Sequence, residues 1–155
     1  MSKNKNNKPV WSTRINQNTS NLFAKVGSSI NIDKRLYKQD IKASSAHVEM
    51  LLKKKIISLQ VKNKISWGLQ KILNEINKKK FLFNSKSEDI HMSIEQRLFE
   101  LIGEDAGFIH TARSRNDQVL VDFKLWMIEA TQDIIKELDS SIKLILKIAE
   151  KNVYT

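Results

Sequence analysis

Cysteine is absent from these 155 residues, proline occurs once and glycine four times. The lack of cysteine excludes disulfides, thiolate nucleophiles and cysteine-ligated metal, and it fits a reducing cytosol. The scarcity of proline and glycine argues against an all-β design, whose many turns call for both. The expected class is therefore all-α. No apolar run approaches the ~20 residues of a membrane span, so no membrane partner is expected. The Lys- and Asn-rich start, as far as Pro9, is not followed by the apolar stretch of a secretory signal and reads as a disordered leader over residues 1–10.

What is abundant is positive charge, a net +10. Such a balance invites a nucleic-acid partner. Against it, only five of the 27 basic residues are arginine, the side chain suited to bidentate phosphate and base contacts. The charge is also lopsided: residues 1–87 hold 19 basic and 4 acidic side chains, residues 88–155 hold 8 and 13. A solvated lysine surface explains this better than a nucleic-acid footprint, so no nucleic-acid partner is expected.

Apolar residues recur at helical spacing through most of the chain. A short helical turn is expected over residues 21–26, broken by Gly27, Ser28 and Ser29. Asp33 is a plausible N-cap for a helix reaching about Lys54, with Leu36, Ile41, Val48 and Leu51 on one face. A second helix is expected over residues 59–77, ended by Lys78, Lys79 and Lys80, and a third from Ser87, as cap, to Ile102 before Gly103. From about Asn116 to Lys151 one pattern runs unbroken: Leu120, Phe123, Met127, Ile134, Leu138, Ile142 and Ile145 step by three, four or seven, and Val121, Leu125, Ile128, Ile135 and Leu146 form a second stripe. At ~1.5 Å per residue this helix spans roughly 50 Å. Two apolar faces on so long a helix need more cover than the short helices before it supply, so it is expected to belong to an elongated bundle. The end at Thr155, with no visible cap or tail, suggests a larger protein.

The richest polar cluster is residues 110–122, where Arg113, Ser114, Arg115, Asn116, Asp117 and Gln118 open the long helix. A helix N-terminus offers free N–H groups and a positive dipole end, and with arginines and an amide it suits a small polyanionic metabolite. On residue chemistry alone an equal reading is a polar cap whose arginines pair with Glu104 and Asp105.

Residues 110–118, His-Thr-Ala-Arg-Ser-Arg-Asn-Asp-Gln, running on to Asp122, Leu125 and Trp126, resemble the first signature block of the argininosuccinate lyases. Residues 88–95, Glu-Asp-Ile-His-Met-Ser-Ile-Glu, resemble the family's matching helix. Trp11 to Arg14 resembles its tryptophan–arginine motif, although Ile15 stands where the family usually has Phe. Gly27 to Ile30 followed by Asp33 resembles its early substrate-contacting stretch. The resemblance covers nearly everything from Trp11 onward.

The resemblance implies an N-terminal helical domain over residues 11–115 and the start of a central helix-bundle domain over residues 116–155. It implies reversible elimination of fumarate from argininosuccinate to give arginine, the last step of arginine biosynthesis, in the cytoplasm, without cofactor or metal, by a homotetramer whose sites draw on three subunits. It assigns Ser29, Arg115 and Asn116 to substrate binding, with Asp33, His91 and Ser114 as neighbours; Arg115 would hold a succinyl carboxylate, Asn116 would orient the substrate, and an equal reading of His91 is a partly buried polar residue bonded to backbone. His110 would order its loop, and His47 is expected to be structural. The family's general acid, a His in a Thr-His-x-Gln segment, and its general base, a Ser in a Ser-Ser-x-Met-Pro loop, match nothing in these 155 residues. No catalytic residue is therefore expected within them, and the chain alone should be inactive. The alternative is a non-catalytic assembly protein of the same fold, against which the retained polar block speaks.

Overall fold

A computed structural model describes residues 26–83 and 87–154. The leader, the motif at Trp11 to Arg14, Ile15 and all but the last residue of the expected turn at 21–26 lie outside the described residues. Four long helices, and no strand among the described residues, make the fold all-α: α1 (Tyr37–Lys53), α2 (Leu59–Asn77), α3 (Ile90–Ile102) and α4 (Arg115–Lys151). A single turn, Ile30–Asp33, and a 3₁₀ turn, Lys34–Leu36, lead into α1, and a longer 3₁₀ segment, Gly103–His110, joins α3 to α4.

The helix limits follow from local chemistry, with two departures from expectation. Asp33 does not cap α1, which starts only at Tyr37 after the 3₁₀ turn. Its carboxylate instead reaches the next polar segment: Oδ1 accepts from Ile90 N at 3.1 Å and Oδ2 from the Ser29 hydroxyl. Nor is Ser87 the cap of α3. Asp89 fills that position, accepting from Met92 N at 2.6 Å, while Ser87 is buried with its hydroxyl on Gln96. A carboxylate at the positive end of a helix is the stronger cap, so the acid wins the position. The lysine runs do mark helix ends, through backbone geometry as well as charge. Lys55 and Lys79 take left-handed φ values of 59° and 56°, and Ile56 N and Lys80 N then bond back to Leu51 O and Glu75 O.

The core lies between α1, α2 and α3, where Val48, Leu51, Ile65, Leu69, Ile72, Ile90, Ile94 and Leu98 are almost wholly buried. Gly68 permits the close approach of α2 and α3: a Cβ there would collide with the Leu98 side chain. Helix α4 behaves differently. Its only buried residues are Gln118 and Asp122, with Leu125, Glu129 and Ala130 half-buried, and residues 131–151 are all exposed. Both apolar stripes are left largely uncovered, and Ile134, Leu138, Ile142 and Ile145 are each at least 56% exposed. The helix is unbroken as expected, but the face that anchors it is polar.

Candidate functional site

The polar residues singled out in the sequence converge where the turn Ile30–Asp33, the start of α3 and the start of α4 meet. Segment 88–90 is the hub. Glu88 O accepts from Ser29 N at 2.8 Å, Ile90 N donates to Asp33, and Asp89 Oδ2 lies 3.4 Å from Arg115 Nε. Ser29 and Arg115 thus approach the same short segment. Ser114 caps α4, its hydroxyl accepting from Asn116 N at 3.2 Å. Asn116 is exposed on the first turn beyond that cap, with its side chain open to solvent.

Arg115 is held from three sides. Its NH1 and NH2 donate to Glu95 Oε1 and Oε2, each at 3.0 Å, and NH1 also donates to Gln118 Oε1 at 2.6 Å. The Glu95 carboxylate engages the guanidinium fork in the bidentate manner that any bound carboxylate would use. Burial works against the charge of Arg115, but the Glu95 charge and hydrogen bonds outweigh it, so its pKa is raised. Burial also raises the pKa of Asp33, against the lowering effect of the Ser29 hydroxyl.

Behind Arg115 lies a wholly buried polar cluster. Asp40, His91, Gln118 and Asp122, from three helices, are each no more than 2% exposed. His91 Nδ1–H donates to Asp40 Oδ1 at 3.0 Å, and Gln118 Nε2 donates to the same oxygen. Gln118 therefore spans from Asp40 to Arg115, its amide nitrogen on one and its amide oxygen on the other. Burial opposes charge on both partners of the His91–Asp40 pair, yet their mutual attraction prevails: the imidazole pKa is raised and that of Asp40 is lowered. Burial pushes Asp122 up to about 8, assisted by the negative charge of Asp40. Asp40, His91 and Asp122 also form a group of three potential metal ligands, their donor atoms within 4.8 Å of one another. The Gln118 amide hydrogens facing the same Asp40 oxygen favour proton sharing there over a cation.

The remaining polar residues serve the scaffold. Arg113 donates to the buried Ser44 hydroxyl at 2.9 Å. The alternative pairing of the two arginines with Glu104 and Asp105 is not adopted; Asp105 is bonded by Lys64. His47 Nε2 meets Thr111 O at 3.0 Å and so ties α1 to the loop before α4. His110 lies 3.3 Å from Glu95, next to the Arg115 pair.

Sequence reasoning passed over Asp40 and Glu95 as partners, and treated Gln118 and Asp122 only as letters of a motif. A signal for them was present. Asp40 shares a helical face with Ser44, Val48 and Leu51, and Gln118 and Asp122 are four residues apart on the side of α4 opposite much of its apolar surface. Polar residues on a buried face need partners, and here they find one another.

The all-α fold and this polar site at a long helix's N-terminus agree with the family comparison. A family model described as "Lyase" matches residues 13–155, and the chain belongs to that lyase family. Among curated proteins it is similar to the argininosuccinate lyase of Pelagibacter ubique (strain HTCC1062), 61% identical over 155 residues, which are 100% of this chain and 34% of that protein. It is 47% identical over 146 residues to the argininosuccinate lyase of Bartonella tribocorum (strain CIP 105476 / IBS 506), covering 94% of this chain and 31% of the relative. The argininosuccinate lyase of Chelativorans sp. (strain BNC1) is 44% identical over 155 residues, 100% of this chain and 33% of the relative. The chain thus spans about a third of the length of these relatives, corresponding to their N-terminal portion. No helix among the described residues is long and apolar enough to cross a membrane.

Proposed function

We propose that this chain supplies part of the substrate site of an argininosuccinate lyase acting in arginine biosynthesis in the cytoplasm. The observation that carries the reading is Arg115, a half-buried guanidinium beside the first turn of α4, already engaged by a carboxylate and adjoining the segment that also holds Ser29 and Asp33. The 61% identity to an argininosuccinate lyase supports the same reading.

In this reading the reaction removes fumarate from argininosuccinate. A base takes the proton beside a succinyl carboxylate, electron density moves onto that carboxylate, and the C–N bond to the guanidino group breaks as an acid protonates the departing nitrogen. Arg115 holds the carboxylate whose charge grows in the transition state, with Glu95 as the group it exchanges for substrate. Asn116 and Ser29 orient the substrate by hydrogen bonds, while Ser114, Asp33 and His91 hold those residues in place. Acid and base come from outside these 155 residues, and so do the further helices that complete a homotetramer around α4. No cofactor, metal, nucleic acid or membrane enters this reading. Residues 11–115 form the N-terminal domain and residues 116–155 begin the central bundle.

The test is a chimera in which this chain replaces the matching third of the Pelagibacter ubique relative. It should release fumarate, followed by ultraviolet absorbance, whereas the 155-residue chain alone should release none. Arg115→Ala in the chimera removes a charge-assisted hydrogen bond of about 1.5–3 kcal/mol, a loss of roughly 10- to 150-fold in kcat/KM. Lys78→Ala, on the exposed end of α2, should leave turnover unchanged. Wild-type turnover by Arg115→Ala would remove the assignment of the signature block.

A further inference from the structure

The buried cluster beneath Arg115 poses a problem of charge. Asp122 is 0% exposed, and neither of its oxygens has a hydrogen-bond donor among the described residues. His91 Nδ1 lies 3.4 Å from Asp122 Oδ2, but its hydrogen bond goes to Asp40. Two buried carboxylates side by side, served by one imidazole, cannot both stay ionised at low cost. A proton on Asp122 removes the conflict, because it turns an acceptor–acceptor contact into a hydrogen bond. Asp40 then accepts from three donors, His91, Gln118 and Asp122, and the cluster becomes neutral overall: one carboxylate, one imidazolium and one carboxylic acid.

We propose that Asp122 is a carboxylic acid at neutral pH and that it works with Asp40 as a positioning pair, aiming His91 through its Nδ1 and Arg115 through Gln118. The geometry is a relay from the core to the site. Asp40 on α1 fixes the imidazole of α3 and the Gln118 amide of α4, and that amide's oxygen bonds the guanidinium at 2.6 Å. His91 is thereby committed through Nδ1, with its ring buried in the same cluster. The charged groups around the cluster are Asp33 from the turn, Asp89 from the α3 cap, Arg113 from the loop and Arg115 from α4. The burial and the upward shift of Asp122 agree with this assignment. The positioning of Arg115 and His91 toward substrate rests on the lyase reading; the protonation state does not.

The experiment is carboxyl-carbon and imidazole-nitrogen NMR on the 155-residue chain, labelled at aspartate and histidine. One aspartate carboxyl should keep its protonated shift at pH 7 and titrate near about 8, and that signal should disappear in Asp122→Asn. Asparagine is neutral and retains a donor, so Asp122→Asn should leave the His91 titration and its Nδ1–H signal in place. Asp40→Asn removes the anion bonded to His91 and should move that titration downward. If every aspartate titrates with ordinary carboxylates near about 4, the proposal fails. It fails equally if Asp122→Asn displaces the His91 titration as far as Asp40→Asn does. Should Asp40→Asn not fold, the wild-type carboxyl titration and Asp122→Asn decide the matter. None of these signals depends on turnover, so an inactive chimera and an ordinary Asp122 are separate failures.

Discussion

At the scale of single residues, the molecule carries ionisable groups whose environments differ from water in opposite senses, and stability should register the difference. A carboxyl raised to about 8 in the folded chain binds a proton that the unfolded chain, with its carboxyl near 3.8, releases. Stability from Asp122 is therefore present below the unfolded pKa and is lost as pH rises through the folded one. The raised pKa of His91 acts in the same direction above neutrality. The lowered pKa of Asp40 acts only in acid, where its contribution disappears as pH falls. Urea unfolding followed by circular dichroism should accordingly show a midpoint that declines between pH 5.5 and pH 8, with an upper slope from Asp122 of about 1.4 kcal/mol per pH unit. Asp122→Asn should flatten most of that decline; a profile identical to wild type would show the group to be ionised throughout. Glu95→Gln tests the same neighbourhood from the other side. It replaces a bidentate carboxylate by a neutral amide, so Arg115 should engage substrate more readily and the chimera's KM should fall; a raised KM would show that Glu95 chiefly aims the guanidinium.

At the scale of elements, the helices are joined by one apolar contact surface and a few polar clamps. Arg97 of α3 forks onto Glu75 of α2 with both bonds at 2.9 Å, and Tyr37 of α1 donates to Asn77 at the end of α2. Between α2 and α3, Gly68 leaves no room for a methyl group against Leu98. Gly68→Ala would improve helix propensity by roughly 0.5–1 kcal/mol in an open helix, but overpacking of a filled core costs about 1–3 kcal/mol. The collision should win, giving net destabilisation on the order of 1–2 kcal/mol by urea titration. Leu98→Ala in the same chain should relieve part of it; independent, additive effects would contradict the contact. Helix α4 is clamped by Gln39 and Lys42 on Glu129, and just past that point it leaves the body of the protein.

At the scale of the whole molecule, the projecting half of α4 is the dominant feature. Its apolar residues, including Ile134, Ile135, Leu138, Ile142, Leu144 and Ile145, are all more than half exposed. Exposed apolar surface on this scale marks an interface or drives association. The isolated chain should therefore self-associate in sedimentation velocity and bind an apolar dye. Replacing Leu138 and Ile145 by Glu should suppress both without loss of the core signal in thermal unfolding. A monomer with no dye binding at high concentration would show that this surface is already covered.

How much of this was legible in the letters depends on the range of the interactions involved. Helix existence, the α2 limits, the stop at Gly103 and the unbroken run of α4 are set by neighbours within a turn or two, and the pattern of residues alone determined them. So was the family likeness, carried by the contiguous block at 110–118. What Asp33 serves was not local: it accepts from Ile90 N, 57 positions away, because the first turn folds back onto the start of α3. The buried polar cluster was equally hidden, since Asp40 meets Gln118 across 78 positions and His91 across 51. Sequence spacing orders side chains along one helix, whereas burial and the charge states that follow from it depend on which helices pack together. Only the tertiary structure could decide that α4 is seated by Gln118 and Asp122 while its apolar stripes stay uncovered. The apolar core closes among α1, α2 and α3, and the buried polar groups of α1 and α3 need partners that only the polar face of α4 supplies.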